Sequence, residues 1–242
     1  MGISELVLVR HAESAGNVAR EQAEHERAEI IEIEWRDADV PLSPHGRAQA
    51  DALGAWLADA RVDRVYSSPY LRARDTLDRA FAAAGHSASI GIDERLRDRE
   101  LGVLDRLTSW GVAARFPAEA ARKRDLGKLF YRPPGGESWA DIALRIRSFL
   151  RDLDDDAASG TVLIGTHDAV IFLFRYVVEG LDERQLLDLA AQCTVPNASV
   201  SRFVRDAAGA AWRVAEFGSV EHLHEQGVQP TQHGATVDER RH

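Results

Sequence analysis

Two uninterrupted apolar runs organise the chain. They are residues 6–9 (LVLV) and 161–165, which contain VLIG. Continuous apolar runs of this length, without alternation, are typical of strands buried on both faces of a parallel sheet. Between and around them the pattern changes period. Residues 17–34, rich in Ala and Glu, predict a helix. Ser43-Pro44 predicts the start of a second, with Ser as N-cap and Pro in the first helical position. Its apolar positions Ala50, Leu53, Ala55 and Leu57 fall near one face. Residues 62–67 predict a strand, and 69–84 a helix stopped by Gly85. Ile90 and Ile92 alternate with small residues as a short strand would. Residues 93–135 are irregular and Arg-rich, ending in the breaker Pro133-Pro134-Gly135-Gly136. Residues 137–153 predict a strong helix, with Trp139, Ile142, Ile146, Phe149 and Leu150 near helical spacing. Residues 169–178 predict a buried helix, and 199–204 with 212–217 a closing pair of strands.

Strands alternating with helices imply an α/β fold: a mostly parallel central sheet with helices on both faces. There is no internal repeat and no linker. The expectation is one domain over residues 1–217, with cap insertions at about 18–38 and 105–135. Residues 218–242, polar with scattered His, are expected to be a mobile tail.

Charge narrows the function. The 242 residues carry a formal net charge of -9 and 45% hydrophobic positions, ordinary for a globular protein. An acidic chain is a poor general ligand for nucleic acid or anionic membrane, so neither partner is expected. Any anionic substrate must be drawn in by local Arg. The single cysteine, Cys193, excludes an intrachain disulfide and fits a cytoplasmic location. The N-terminus lacks the pattern of a signal peptide, and the longest apolar run, 169–174, is too short to span a membrane.

Candidate chemistry gathers at the ends of the predicted strands. Residues 9–17 read VRHAESAGN, placing Arg10 and His11 just past the first strand. Ligands of open α/β sheets bind there, outside the carboxyl ends of the strands. A neutral imidazole is a competent nucleophile near pH 7. Residues 164–170, IGTHDAV, repeat the arrangement around His167. Residues 67–76, SSPYLRARDT, end a strand and place Arg72 in the first turn of a helix, a natural anion site. Taken singly, a strand-end His is more often structural, and a first-turn Arg is more often a solvated surface residue. The agreement of three strand ends favours a phosphoryl site. Metal binding is disfavoured, because no His-x3-His or acidic cluster occurs at these ends. His222 and His224 in the tail could hold a metal loosely, although a tag-like tail is the better reading.

These segments resemble the histidine phosphatase superfamily, the branch that contains the cofactor-dependent phosphoglycerate mutases. The carriers are RHAESAGN, LSPHGRAQA at 42–50, SSPYLRARDT, Gly136-Glu137-Ser138, and Thr166-His167-Asp168. They occur in order from residue 6 to about 204. The resemblance implies a phosphoglycerate mutase-like fold and a phosphomonoester hydrolase acting on a small phosphorylated metabolite, with no cofactor and no metal. It implies that His11 becomes phosphohistidine, that Arg10, Arg72 and His167 bind the phosphoryl oxygens, and that Ser14 and Asn17 help to form that site. The family's general acid falls within LRDRELG, 96–102. Asp98 occupies the usual Glu position, and Glu100 is the alternative; ion pairing with nearby Arg is the bland reading of both. Asp168 replaces a usual Gly and would repel an anion unless paired with Arg. The rim carries Arg106, Arg115, Arg122, Lys123, Arg124, Lys128 and Arg132. Facing inward, they would suit a substrate with more than one anionic group; facing outward, they are a solvated helical face. A phosphoglycerate mutase, a phosphoprotein phosphatase and a non-catalytic phospho-ligand binder are the alternatives. The surroundings of Arg122-Lys123-Arg124 differ from the mutase pattern, which favours hydrolysis. A homodimer is left open.

Overall fold

The computed structural model describes residues 2–155, 160–207 and 209–233. A six-stranded sheet runs in the order β3-β2-β4-β1-β5-β6. The strands are β1 (Ile3–Arg10), β2 (Arg64–Ser67), β3 (Ile90–Ile92), β4 (Gly160–Thr166), β5 (Val200–Val204) and β6 (Arg213–Ser219). β1, β4, β2 and β3 are parallel, and β5 and β6 add an antiparallel edge.

The two apolar runs sit at the centre because both sheet faces are covered. Along β1, Leu6 and Leu8 face one core with Val162 and Ile164 of β4; Val7 and Val9 face another with Leu163. A period of two sends successive side chains to opposite faces, so a doubly covered strand must be apolar throughout. The first core is closed by α6 (Trp139–Asp155), α7 (Asp168–Glu179) and α8 (Glu183–Gln192). The second is closed by α2 (Pro44–Asp59) and α3 (Leu71–Ala83). α2 begins as its sequence predicts, with the Ser43 hydroxyl accepting from the Gly46 amide. Of the remaining helices, α4 (Ser109–Arg115) and α5 (Pro117–Phe130) lie in the Arg-rich stretch expected to be irregular.

Three expectations need correction. The helix expected over 17–34 is α1 (Ala15–His25), which ends nine residues early. Arg27 there adopts φ 55, and the chain turns off to form an isolated bridge between Ile30 and Leu107. Residues 29–31 and 106–108 are further tied by Ile31 N–H to Arg106 C=O and Thr108 N–H to Glu29 C=O. These ties join segments 18–38 and 105–135 above the strand ends. The helix α8 was absent from the sequence expectation altogether. Finally, residues 218–233 are not a loose tail. α9 (Glu221–Glu225) buries Leu223 against Ala12, Leu42 and Ala50. His222 is buried too, 3.0 Å from the Ala198 carbonyl, which makes it a packing residue rather than a loose metal ligand. Residues 234–242 of the expected tail lie outside the described residues. No described helix is long and apolar enough to cross a membrane.

Candidate active site

Register brings the chemistry together. Val9 of β1 pairs with Gly165 of β4, which pairs with Ser67 of β2. The three strands therefore end level, and the residues just past them, His11, Ser68 and His167, become neighbours. Each strand then feeds a helix: β1 into α1, β2 into α3, β4 into α7. Their amino-terminal turns carry partial positive charge, which favours an anion at this edge.

His11 is buried, and its Nδ1 lies 2.7 Å from the Ala12 carbonyl. A carbonyl can only accept, so Nδ1 carries the proton and Nε2 keeps its lone pair. Burial lowers the pKa of His11 well below its ordinary 6.5, and the charges of Arg72, His167 and Arg10 push the same way. The ring is therefore neutral at pH 7. His167 is completely buried, its ring centroid 5.1 Å from that of His11. Its Nε2 lies 2.9 Å from the Ser68 hydroxyl. Its Nδ1 lies 3.2 Å from Asp98 Oδ2. Burial outweighs that carboxylate and leaves the pKa of His167 below its ordinary value.

Arg72 donates to Asp37 Oδ1 and to Asp98 Oδ2, both at 3.0 Å, and to the Asp37 carbonyl at 2.6 Å. Burial opposes ionisation of Asp98, yet His167 and Arg72 hold its carboxyl well below the usual range. Arg10 donates to the carbonyls of Val195 at 2.5 Å and His233 at 2.7 Å. Asp168, the departure expected to need an Arg partner, has Oδ2 3.9 Å from Arg10 and accepts the Ala169 amide through Oδ1. Its place in the first turn of α7 also suits a carboxylate. Ser14 caps α1, and the Asn17 side chain accepts from Ser14 and from Asn197.

Arg10, His11, Ser14, Asn17, Arg72, Asp98 and Asp168 all line one cavity of about 880 Å³, with His167 behind its floor. Glu100 does not join them. Its carboxylate is half-exposed, accepts from the Tyr70 hydroxyl at 2.9 Å, and is 3.8 Å from Arg97. Of the basic rim, Arg106, Lys123, Arg124 and Lys128 line the cavity. Arg115, Arg122 and Arg132 instead face Glu29, Glu119 and Asp141.

Several site residues carried no strong sequence signal. Asp37 arrives on an irregular segment. Tyr70 stands edge-on to His167, ring centroids 5.3 Å apart, with the Arg72 guanidinium 4.9 Å from its ring centre. Glu13 lies within the RHAES run; Ser43 donates to its carboxylate at 2.5 Å and His233 lies 2.9 Å away. The pattern of Glu13 with Ser43 was legible only as part of that run. His233 could not have been found, because nothing near it is patterned.

The sequence signature of the histidine phosphatase superfamily (branch 1) matches residues 6–218, and the chain belongs to that family. The chain is 31% identical over 194 residues to 2,3-bisphosphoglycerate-dependent phosphoglycerate mutase 2 of Gloeobacter violaceus, covering 79% of this chain and 83% of that protein. It is 30% identical to fructose-2,6-bisphosphatase TIGAR of Xenopus tropicalis over 61% of this chain, spanning only about half (49%) of that protein. Among solved structures, YhfR of Bacillus stearothermophilus superposes with a TM-score of 0.73 at 27% identity, covering 90% of this chain and 98% of that one.

Proposed function

We propose that the protein is a phosphomonoester hydrolase that works through a phosphohistidine at His11 on a small phosphorylated metabolite. The observation that carries this reading is the His11 imidazole itself. It is buried and neutral, its Nδ1 proton is fixed on the Ala12 carbonyl, and its Nε2 is left as a nucleophile among Arg10, Arg72 and His167.

In the first step His11 Nε2 attacks phosphorus. The N–P bond forms, the bond from phosphorus to the ester oxygen breaks, and that oxygen takes a proton. The positive groups hold charge on the phosphoryl oxygens. On this reading the positive charge comes from Arg10 and Arg72, so no metal is required. Asp98, beside Arg72 and His167 in the cavity, is better placed than Glu100 to supply the proton. It is ionised before substrate arrives, because Arg72 favours its charged form. A phosphate that takes over Arg72 removes that support and raises the affinity of Asp98 for a proton. A monoanionic phosphate, whose second pKa is about 6, brings that proton. In the second step water attacks phosphorus and gives its proton to Asp98. The N–P bond breaks, and His11 returns to its starting state. Asp37, Asp98 and Asp168 neutralise the Arg residues until phosphate displaces them. Cys193, the sole cysteine, fits a reducing, cytoplasmic setting.

A mutase reading draws support from the Gloeobacter relative. The size of the cavity favours hydrolysis, because it leaves room for water around a small intermediate. The test is phosphate release from p-nitrophenyl phosphate and a panel of phosphorylated metabolites, wild type against His11→Ala. Release that falls to the buffer rate in the variant supports the proposal. No release by folded wild type, with phosphoryl transfer between phosphoglycerates instead, replaces hydrolysis by the mutase reading.

A further inference from the structure

The phosphoryl site fills only the floor of the cavity, and the remainder is open to the leaving group. At about 880 Å³ the cavity is large even among pockets for drug-sized ligands, which run to about 1,000 Å³. Part of its wall is an apolar patch built from Ile31, Ile33, Leu104, Leu107 and Val112, with Trp110 half-exposed beside them. These residues come from the two segments tied together by the Ile30–Leu107 bridge.

The charge of the wall departs from that of the chain. Eight Arg or Lys side chains and six carboxylates line the cavity among the described residues, although the chain carries a net charge of -9. The carboxylates are engaged. Asp37 and Asp98 are held by Arg72, and Glu119 accepts from Tyr131 and Arg122. Two of the cations are not. Arg20 lies one turn beyond Asn17 on the same face of α1, farther from His11. Its expected partner at i+4, Glu24, is occupied by both the amide and the hydroxyl of Ser109, at 2.9 Å each. Arg20 makes no hydrogen bond or ion pair with any described residue, and the same holds for Arg124 on α5. An Arg that lines a cavity and has no partner among the described residues is a site for a ligand anion.

We propose that the substrate is a phosphomonoester with an elongated apolar body and a second anionic group at its far end, bound by Arg20 with Arg124. This rests on the hydrolase reading of the His11 site and names the class of its leaving group. Carboxylate and phosphate share the chemistry Arg recognises, and the test separates them.

The experiment uses linear alkyl phosphates of four, six, eight and ten carbons. Each ends in a methyl ester, a carboxylate or a second phosphate. Wild type is compared with Arg20→Gln, Arg124→Gln, the double variant, and Arg115→Gln, which lies outside the cavity. In the methyl ester series KM is expected to fall as methylenes are added, since each buried methylene favours binding. At the best length a charged end is expected to lower KM about tenfold against the methyl ester, as a charge-assisted contact would. That ratio is expected to collapse to within about twofold in the double variant and to persist in Arg115→Gln. Whichever charged end gives the larger ratio identifies the second group. Absence of a charged-end preference at every length, or its survival in the double variant, overturns the proposal. If wild type does not hydrolyse p-nitrophenyl phosphate, the hydrolase reading fails separately. Calorimetric binding of the matching phosphonates then applies the same ratios to the subsite.

Discussion

Replacing Asp98 by Asn separates proton donation from structure, because the two effects have opposite signs. Asn cannot donate the proton that an alkyl leaving group requires; general acid catalysis contributes about 10²- to 10⁴-fold, or about 3–5 kcal/mol of barrier. A p-nitrophenolate leaves without help, so its phosphate is expected to lose far less. On the proposed mechanism Asp98 also competes with substrate for Arg72. At 3.0 Å and an effective dielectric of about 20, their gross attraction is on the order of 5 kcal/mol. Asp37 still holds Arg72 in the variant, so only part of that is released. Inorganic phosphate is therefore expected to bind tighter, about tenfold. The assay is single-turnover kinetics with hexyl phosphate and p-nitrophenyl phosphate, beside phosphate binding by calorimetry, for Asp98→Asn and Glu100→Gln. Weaker phosphate binding together with equal losses on both substrates would refute the acid role of Asp98. A leaving-group-dependent loss in Glu100→Gln would transfer that role to Glu100.

Four further outcomes follow from the same geometry. A Cβ at Gly46 would stand 1.9 Å from the Glu13 carbonyl oxygen, a backbone atom that cannot step aside, so Gly46→Ala is expected to cost on the order of 3 kcal/mol in urea unfolding. Tyr70→Phe removes only the hydroxyl bond to half-exposed Glu100 and is expected to lose about 0.5–1.5 kcal/mol of stability while keeping most activity. Tyr70→Ala empties the space between His167 and Arg72 and is expected to lose at least about 3 kcal/mol, with KM raised. His11 resists protonation in the folded protein, so below pH 6.5 the unfolded chain binds a proton that the folded one does not. Stability is expected to fall with pH from 6.5 down to the lowered folded pKa, and His11→Gln to flatten that slope by up to about 1.4 kcal/mol per pH unit in urea titrations.

Much of this molecule is legible in its sequence for one physical reason: burial on both faces leaves an unmistakable trace. The runs at 6–9 and 161–165 locate the central strands, and their level ends bring Arg10, His11, Arg72 and His167 together. Other features leave weaker traces. α1 stops without Gly or Pro, at an Arg27 in the left-handed region, so the Ala/Glu-rich composition overruns it. α8 carries a reciprocal cap, Asp182 with Gln185, but its apolar stripe is too short to predict a helix from the sequence. Asp37 and His233 reach the site through tertiary contacts alone. The Gln229 and Thr231 carbonyls bind Gln49 and Asn197, and these bonds lay the segment beside Arg10. A polar stretch fixed by backbone bonds reads like a loose tail. The inward set on α5, Lys123, Arg124 and Lys128, depends on which face that helix turns to the cavity, and α5 has too little amphipathic contrast to show it.

The central claim is that phosphorus becomes bonded to His11. Wild type mixed with p-nitrophenyl phosphate and quenched in base within milliseconds preserves an N–P bond for peptide mass spectrometry. The account predicts a phosphoryl group on the peptide containing His11, formed as fast as p-nitrophenolate is released, and none in His11→Ala. Turnover that continues in His11→Ala, or rapid release with no phosphopeptide at any time, would contradict it.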